Sequence, residues 1–307
     1  MEKVIVVIGP TSVGKTKMGV ALAKKFNGEV ISGDSMQIYK QMDIGTAKVT
    51  EEEKEGIIHH CVDILNPDET YSVHDFQQTV RKKITEITQR GHVPIIVGGT
   101  GLYIKAALYD YQFDEMENDH HAINEKYKDY TNEQLHDHLK SIDEESAKIL
   151  HFNNRRRVLR AIEIYETTGK RKSEMLEEQE HICLYDAYFV GLTLPRDVLY
   201  ERINKRVDVM MENGLKEEME RLYSQGLTRN HQSMKAIGYK EWFDYYDHQI
   251  DLNDVLELIN KHSRQYAKRQ YTWFKNQFDV HWYDVNLENF EQTIEQVTDD
   301  IEKILKV

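Results

Sequence analysis

Gly9-Pro10-Thr11-Ser12-Val13-Gly14-Lys15-Thr16 follows directly on the apolar run Val4-Ile5-Val6-Val7-Ile8. The eight residues satisfy the phosphate-binding pattern G-x-x-x-x-G-K-[ST] between a buried strand and an amphipathic helix, the context in which that pattern has physical meaning. Gly9 and Gly14 permit backbone torsions and close approaches that a side chain would block. The loop N–H groups then point inward onto phosphate oxygens, and the following helix adds the positive end of its dipole. Lys15 places a point charge on the outer phosphate, and Thr16 offers a hydroxyl to Mg²⁺. The pattern implies a bound phosphoanhydride. It says neither which one nor what reaction follows.

Strand-like apolar runs recur at 29–34, 60–65, 93–98 and 188–194, with helical patterns at 15–26, 73–90 and 101–109 between several of them. This alternation predicts an α/β fold, a parallel sheet of the P-loop kind flanked by helices. Ligands of such sheets bind at the carboxyl ends of the strands. Three of those ends carry polar or glycine-rich turns: the phosphate loop, Asp34-Ser35-Met36-Gln37 and Gly98-Gly99-Thr100-Gly101. From 112 to 183 the pattern is polar and helical, with Leu135, Leu139, Ile149 and Leu150, then Val158, Leu159, Ile162 and Tyr165 at helix spacing. We expect this segment to be a helical insertion domain, and residues 1–111 with 184–307 to form the catalytic core. After Pro195 the chain reads as helical to its end, with stops at Asn213-Gly214 and Gln225-Gly226.

Two cysteines, Cys61 and Cys183, lie far apart and have no metal-ligand spacing. They argue against a disulfide framework and a zinc site, and for a reducing compartment. With no signal-peptide pattern and no apolar run long enough for a membrane span, the expected setting is cytoplasmic. The net charge of −13 disfavours a polyanionic partner only on average. Residues 153–172 carry Arg155, Arg156, Arg157, Arg160, Lys170, Arg171 and Lys172 against Glu163 and Glu166. Residues 261–275 carry Lys261, Arg264, Lys268, Arg269 and Lys275 and no acid. Local clusters of this kind decide phosphate-backbone binding, although solvated helix faces have the same composition.

An ATP-hydrolysing P-loop enzyme usually adds an apolar strand that ends in Asp, to hold Mg²⁺ through water. Here the candidate strand Pro94-Ile95-Ile96-Val97 ends in Gly-Gly-Thr, and the carboxylate sits on the second strand as Asp34. Asp34 reads either as a base toward an acceptor or as a helix N-cap. A small-molecule kinase, a prenyltransferase acting on free nucleotide and a non-catalytic RNA-binding module are the alternatives at this point.

The order and spacing of several blocks narrow the choice. Ser32-Gly33-Asp34-Ser35-Met36-Gln37-Ile38-Tyr39, Met42-Asp43-Ile44-Gly45-Thr46-Ala47-Lys48, His59–Leu65 and Val97–Tyr103 come in succession. Arg157–Glu163, Arg206-Val207-Asp208, Lys235–Lys240 and Tyr266-Ala267-Lys268-Arg269-Gln270 follow. With the phosphate loop, this series resembles the bacterial tRNA dimethylallyltransferases over roughly residues 3–275.

The resemblance implies transfer of a dimethylallyl group from dimethylallyl diphosphate to the exocyclic 6-amino group of an adenosine. That adenosine lies 3′ of the anticodon in tRNAs reading codons that begin with U. Diphosphate would be released, with Mg²⁺ as cofactor. Gly9 through Thr16 would hold the diphosphate, with Thr16 at the metal. Asp34 would be the base, Thr100 would share its site, and Arg206 would neutralise the leaving group, with Arg202 as its fallback. The anticodon stem-loop would meet Asp34, Ser35, Met36 and Gln37, then Arg156, Arg157, Val158, Leu159 and Arg160, and Lys235, Lys240 and Lys268. Arg155-Arg156-Arg157 stands where the family commonly has a Pro-Gln-Arg type of sequence, a departure that bears on individual base contacts. Thr100 as a helix cap and Arg206 as a surface residue are the bland readings. Most aromatic residues of 266–274 read as core. A monomer without membrane contact is expected.

Overall fold

The computed structural model describes residues 1–111, 120–177 and 181–305. In chain order these form β1 Lys3–Ile8, α1 Lys15–Lys25, β2 Gly28–Ser32, α2 Glu51–Lys54, β3 His59–His60, α3 Val73–Gln89, β4 Val93–Val97 and α4 Gly101–Leu108. Five helices follow: α5 His120–Lys126, α6 Asn132–Ile142, α7 Glu144–Ile149, α8 Arg155–Thr168 and α9 Lys172–Glu177. The chain continues with β5 Asp186–Thr193, α10 Arg196–Glu212, α11 Leu215–Ser224, α12 Trp242–Tyr246, α13 Leu252–Gln277, β6 His281–Asp284 and α14 Phe290–Leu305. Two compact units result, Met1–Tyr109 with Cys183–Val307, and Asp110–Ile182. Of the segment read as an insertion, 112–119 and 178–180 lie outside the described residues.

The first unit is built on one all-parallel sheet of order β3-β2-β4-β1-β5-β6. Strand side chains alternate between faces, and β1 shows it directly. Val4, Val6 and Ile8 join one core with Ile31, Ile96, Phe76, Val80 and Ile104. Ile5 and Val7 join the other with Ile95, Val190, Met18, Leu22, Val297 and Ile301. All five apolar residues of β1 are fully buried, each stabilising by about 1.5–3 kcal/mol relative to exposure. Helices close both faces with ordinary signals. Ser72 and Asp75 make a reciprocal capping box on α3, and Asp251 and Asp254 make one on α13.

Two sequence expectations change. The third strand, read at 60–65, covers only His59–His60, because Cys61 (φ 61°) and Asp63 (φ 55°) enter the left-handed region and break the ladder. The chain regains contact through a bridge between Tyr39 and Leu65. The stretch after Pro195 is not wholly helical: β6 pairs with β5 from Val190–His281 to Thr193–Asp284 and extends the sheet.

The second unit packs its helices around Leu135, Leu139, Val158, Ala161 and Ile162. No helix among the described residues is long and apolar enough to cross a membrane.

Candidate active site

The carboxyl ends of β2, β4 and β1 are neighbours in the sheet, so the three loops that leave them converge. Gly33 N donates to Val97 O at 2.8 Å and Thr100 N to Gly33 O at 3.2 Å, tying the Asp34 loop to the Thr100 loop. Beside them opens a cavity of about 340 Å³, lined by Thr11, Ser12, Asp34, Ser35, Met36 and Arg206 among others. Polar residues of the strand ends share this wall with apolar Ile203, Val207, Met210, Ile237 and Ile259. The arrangement suits a ligand with a charged head and a short hydrocarbon tail.

Gly14 precedes α1 with φ 105°, a left-handed conformation that a residue with Cβ would hold under strain. It sets the first turn of α1, with Lys15 and Thr16, under the loop. Lys15 Nζ donates to Pro10 O at 2.8 Å. Burial first, then the Arg206 guanidinium, pushes the Lys15 ammonium down to about 7, against the opposing pull of Asp34. Arg206 reaches the same loop from α10, donating to Thr11 Oγ1 at 2.9 Å. Burial lowers its pKa also, with Asp34 and Glu53 acting in the other direction. Arg202, one turn earlier, donates to Ser12 O at 3.0 Å. Three basic groups thus surround a loop that carries no counter-anion of its own, which is the electrostatic condition for an anionic ligand.

Asp34 caps no helix. Its Oδ1 accepts from Met36 N at 2.8 Å in a tight turn, which leaves the other oxygen to take a proton from a group in the cavity. Thr100 stands at the N-terminal boundary of α4 but makes no side-chain cap. Its Oγ1 instead accepts from Ser35 N at 3.1 Å and donates to Ser35 Oγ at 3.3 Å.

Thr16, the hydroxyl on α1 one residue after Lys15, is an oxygen ligand of the kind Mg²⁺ takes. Mg²⁺ is usually held by one or two protein oxygens, with phosphate oxygens and water completing the shell. The donor set therefore fits the ion.

The sequence profile of the IPP transferase family matches residues 37–277. The chain belongs to that family. It is 54% identical over 287 residues to a tRNA dimethylallyltransferase of Bacillus cereus (strain AH187), covering 92% of this chain and 90% of that one. A solved tRNA delta(2)-isopentenylpyrophosphate transferase of Staphylococcus epidermidis superposes with a TM-score of 0.74 at 47% identity, covering 99% of both chains. A eukaryotic dimethylallyltransferase solved acting on tRNA superposes with a TM-score of 0.86 at 32% identity, covering 99% of this chain and 79% of that one.

The remaining residues singled out in the sequence divide between the two units. Ser35, Met36, Lys235 and Lys240 line the cavity with Asp34. Gln37 braces the loop: its Nε2 donates to Thr46 O at 3.4 Å and Ala47 O at 3.3 Å, and its Oε1 accepts from Ser32 Oγ at 3.1 Å. Lys268 is exposed on α13, and it is the next residue, Arg269, that lines the cavity.

In the second unit, Arg156 and Arg157 are exposed on α8. Arg160 pairs with Glu163 at 2.8 Å. Arg157 and Arg160 both depress the pKa of Lys172, whose main perturbation is burial, so positive charge is concentrated here. Val158 and Leu159 are a correction. They are buried in the core of this unit and offer no side chain to a nucleic acid. Their places on the helix follow from its 3.6-residue period, which turns them inward as it turns Arg156 and Arg157 outward. Arg155 is spent internally, donating to Tyr127 O and Tyr130 O, each at 2.6 Å.

One buried polar residue of the site, Glu218, has no place in the sequence reading, and Tyr266 and Gln270 enter it only as members of the 266–270 block and its aromatic surroundings. Glu218 on α11 accepts from Asp43 N and Ile44 N at 2.9 Å, Gly45 N at 3.1 Å and Tyr239 Oη at 2.6 Å. It pins the 43–46 loop, whose Gly45 and Thr46 line the cavity. A Cβ on Gly45 would stand 2.5 Å from the Tyr239 ring. Tyr266 lines the cavity from α13, its phenol pushed up to about 12 by burial and then by Asp34, so it is a donor at neutral pH. A signal existed: Glu218 falls on the stripe of Leu215, Met219 and Leu222, and Gln270 on that of Ala267 and Phe274. A polar residue at core spacing implies a buried partner.

Proposed function

We propose that the protein transfers a dimethylallyl group from dimethylallyl diphosphate to the 6-amino group of the adenosine immediately 3′ of the anticodon, in tRNAs that read codons beginning with U. Diphosphate is the leaving group. The observation that carries this reading is the composition of the cavity. A cationic phosphate loop and the carboxylate of Asp34 face one space, with an apolar wall beside them and no acidic residue at the end of β4.

Breaking the allylic C–O bond places negative charge on the diphosphate. Lys15, Arg206 and the loop N–H groups stabilise that charge as it develops. Thr16 would hold a Mg²⁺ together with diphosphate oxygens, and the ion, when bound, supplies further charge neutralisation. The adenine amino group is a weak nucleophile because its lone pair is delocalised into the ring. Asp34 accepts its proton as the new C–N bond forms, and Thr100 orients the reacting groups beside it. The target base must leave its stack to enter the cavity. Lys235 and Lys240 at the cavity, and Arg156, Arg157 and Arg160 on the second unit, supply phosphate contacts to the stem-loop. A monomer in a reducing, cytoplasmic setting completes this reading, and two cysteines without metal-ligand spacing suit that setting.

The test is incubation of the protein with dimethylallyl diphosphate, Mg²⁺ and an anticodon stem-loop, read by mass spectrometry. Gain of one dimethylallyl unit on the target adenosine, without ATP, is expected. Strict ATP dependence with phosphate appearing on a small acceptor would establish the kinase reading instead.

A further inference from the structure

Gln270 sits on α13 at 6% exposure, and its amide is used at both ends. Oε1 accepts from Thr11 N at 3.0 Å, inside the phosphate loop. Nε2 donates to Gly99 O at 3.0 Å, in the loop that carries Thr100. The approach is close: a Cβ at residue 99 would lie 2.2 Å from Nε2 and would displace the Gln270 amide. Tyr266, one turn earlier on the same face of α13, donates to the same Gly99 carbonyl at 3.3 Å. Thr11 N is therefore not among the loop donors open to a ligand.

The bridge is the middle of a longer arc. Arg206 holds Thr11 Oγ1 at 2.9 Å, Thr11 N holds Gln270, and Gln270 holds Gly99. Thr100 Oγ1 then takes Ser35 N at 3.1 Å, and Ser35 is bonded to Asp34. One end of the arc is the cation for the leaving group and the other is the proton acceptor. The phosphate loop leaves β1 and the Thr100 loop leaves β4, so the sheet fixes where both loops begin but not the spacing of their tips.

We propose that Gln270 is a positioning residue that sets the distance between the diphosphate site and the Asp34–Thr100 site, and so aligns donor carbon and acceptor amine for displacement. The assignment rests on the transferase reading above. A residue in this role affects turnover more than ground-state binding, because each substrate still meets its own contacts while their mutual geometry is lost. Misplacement of reacting groups by about 1 Å is worth about 10²-fold in rate.

Two variants of the full chain test it. Gln270→Met fills nearly the same volume and can make neither bond. It is expected to lower kcat for dimethylallyl transfer to an anticodon stem-loop by about 10- to 100-fold, with KM for diphosphate donor and RNA each within about threefold of wild type. Gln270→Glu can accept from Thr11 N at any pH but can donate to Gly99 O only when its carboxyl is protonated. Its kcat, as a ratio to wild type, is expected to rise as pH falls. Lys15 Nζ would lie 3.9 Å from a Cβ on Gly99 and Tyr266 donates to Gly99 O; a carboxylate at 270 couples to Lys15, so the pH at which the ratio turns belongs to the pair.

A Gln270→Met enzyme with near-normal kcat and a lowered Tm would overturn the proposal and leave Gln270 as packing alone. A pH-independent ratio for Gln270→Glu would overturn it as well, by a route that does not depend on how well Gln270→Met folds. Absence of transfer by the wild-type chain in the same assay would overturn the transferase reading, and this one with it.

Discussion

Lys15 titrates near 7 in place of its ordinary 10.5 because it is held out of water beside Arg206. Between those two values the unfolded chain binds a proton at this residue that the free folded protein does not. Stability of the free protein therefore gains from this group as pH rises from about 7 toward 10.5, and carries its full penalty below 7. A bound diphosphate reverses the local field and restores the ammonium. Donor binding at pH 8 should thus take up a proton at Lys15, and affinity should fall as pH rises above 7. Calorimetry in two buffers of different ionisation enthalpy measures the uptake. Lys15→Arg should lack that component, and equal uptake in both proteins would place the proton elsewhere. Asp34 gives a second residue-scale prediction. In Asp34→Asn the amide oxygen can still accept from Met36 N, so the turn survives and only the proton acceptor is lost. We expect kcat to fall about 10²–10⁴-fold with little change in donor or RNA binding. Near-normal turnover would remove Asp34 from the chemistry.

At the scale of elements, the wall of the cavity is only as well placed as the 43–46 loop, and that loop hangs on the Glu218 carboxylate. Glu218→Gln replaces one acceptor oxygen by a donor and strands part of the network, which costs about 1–3 kcal/mol. Denaturant unfolding should show that loss, and KM for RNA should rise because Gly45 and Thr46 face the cavity. Loss of stability with unchanged KM would mean that the clamp serves the fold alone. What was legible beforehand follows from range. The phosphate loop, α1, α3 and α4 declare themselves through local period and punctuation. β6 did not, because four residues, His281–Asp284, gain strand identity only by lying beside β5. The third strand was overread because nothing in Cys61-Val62-Asp63 announces two left-handed residues. In the site, the residues that lead into the cavity from motif loops were legible. Glu218, whose loop partners Asp43, Ile44 and Gly45 lie more than a hundred residues away, was visible only as a polar interruption of an apolar stripe, and Gln270 only as the last member of the 266–270 block, with nothing to show that it reaches Thr11 and Gly99.

For the whole molecule, a chain of net charge −13 meets a polyanion through a few local concentrations of positive charge. Arg157 on one unit and Lys268 on the other are both exposed. Arg157→Ala and Lys268→Ala should each weaken stem-loop binding, with the log–log salt slope shallower by about 0.7–0.9 per lost phosphate contact. Binding measured at several salt concentrations decides this, and an unchanged slope in both would make these residues solvated helix faces. The order β3-β2-β4-β1-β5-β6 bears also on how the molecule is made. Translation delivers β1 to β4 first, then the whole of Asp110–Ile182, and only afterwards the strand that closes the far side of β1. At ribosomal speed that interval is roughly 4–15 s. Throughout it, the wholly apolar run Val4-Ile5-Val6-Val7-Ile8 is an open edge able to pair with another nascent chain. A polypeptide ended at residue 182 should self-associate through this edge, as size-exclusion chromatography would report. A monodisperse product would show that the edge is masked during synthesis.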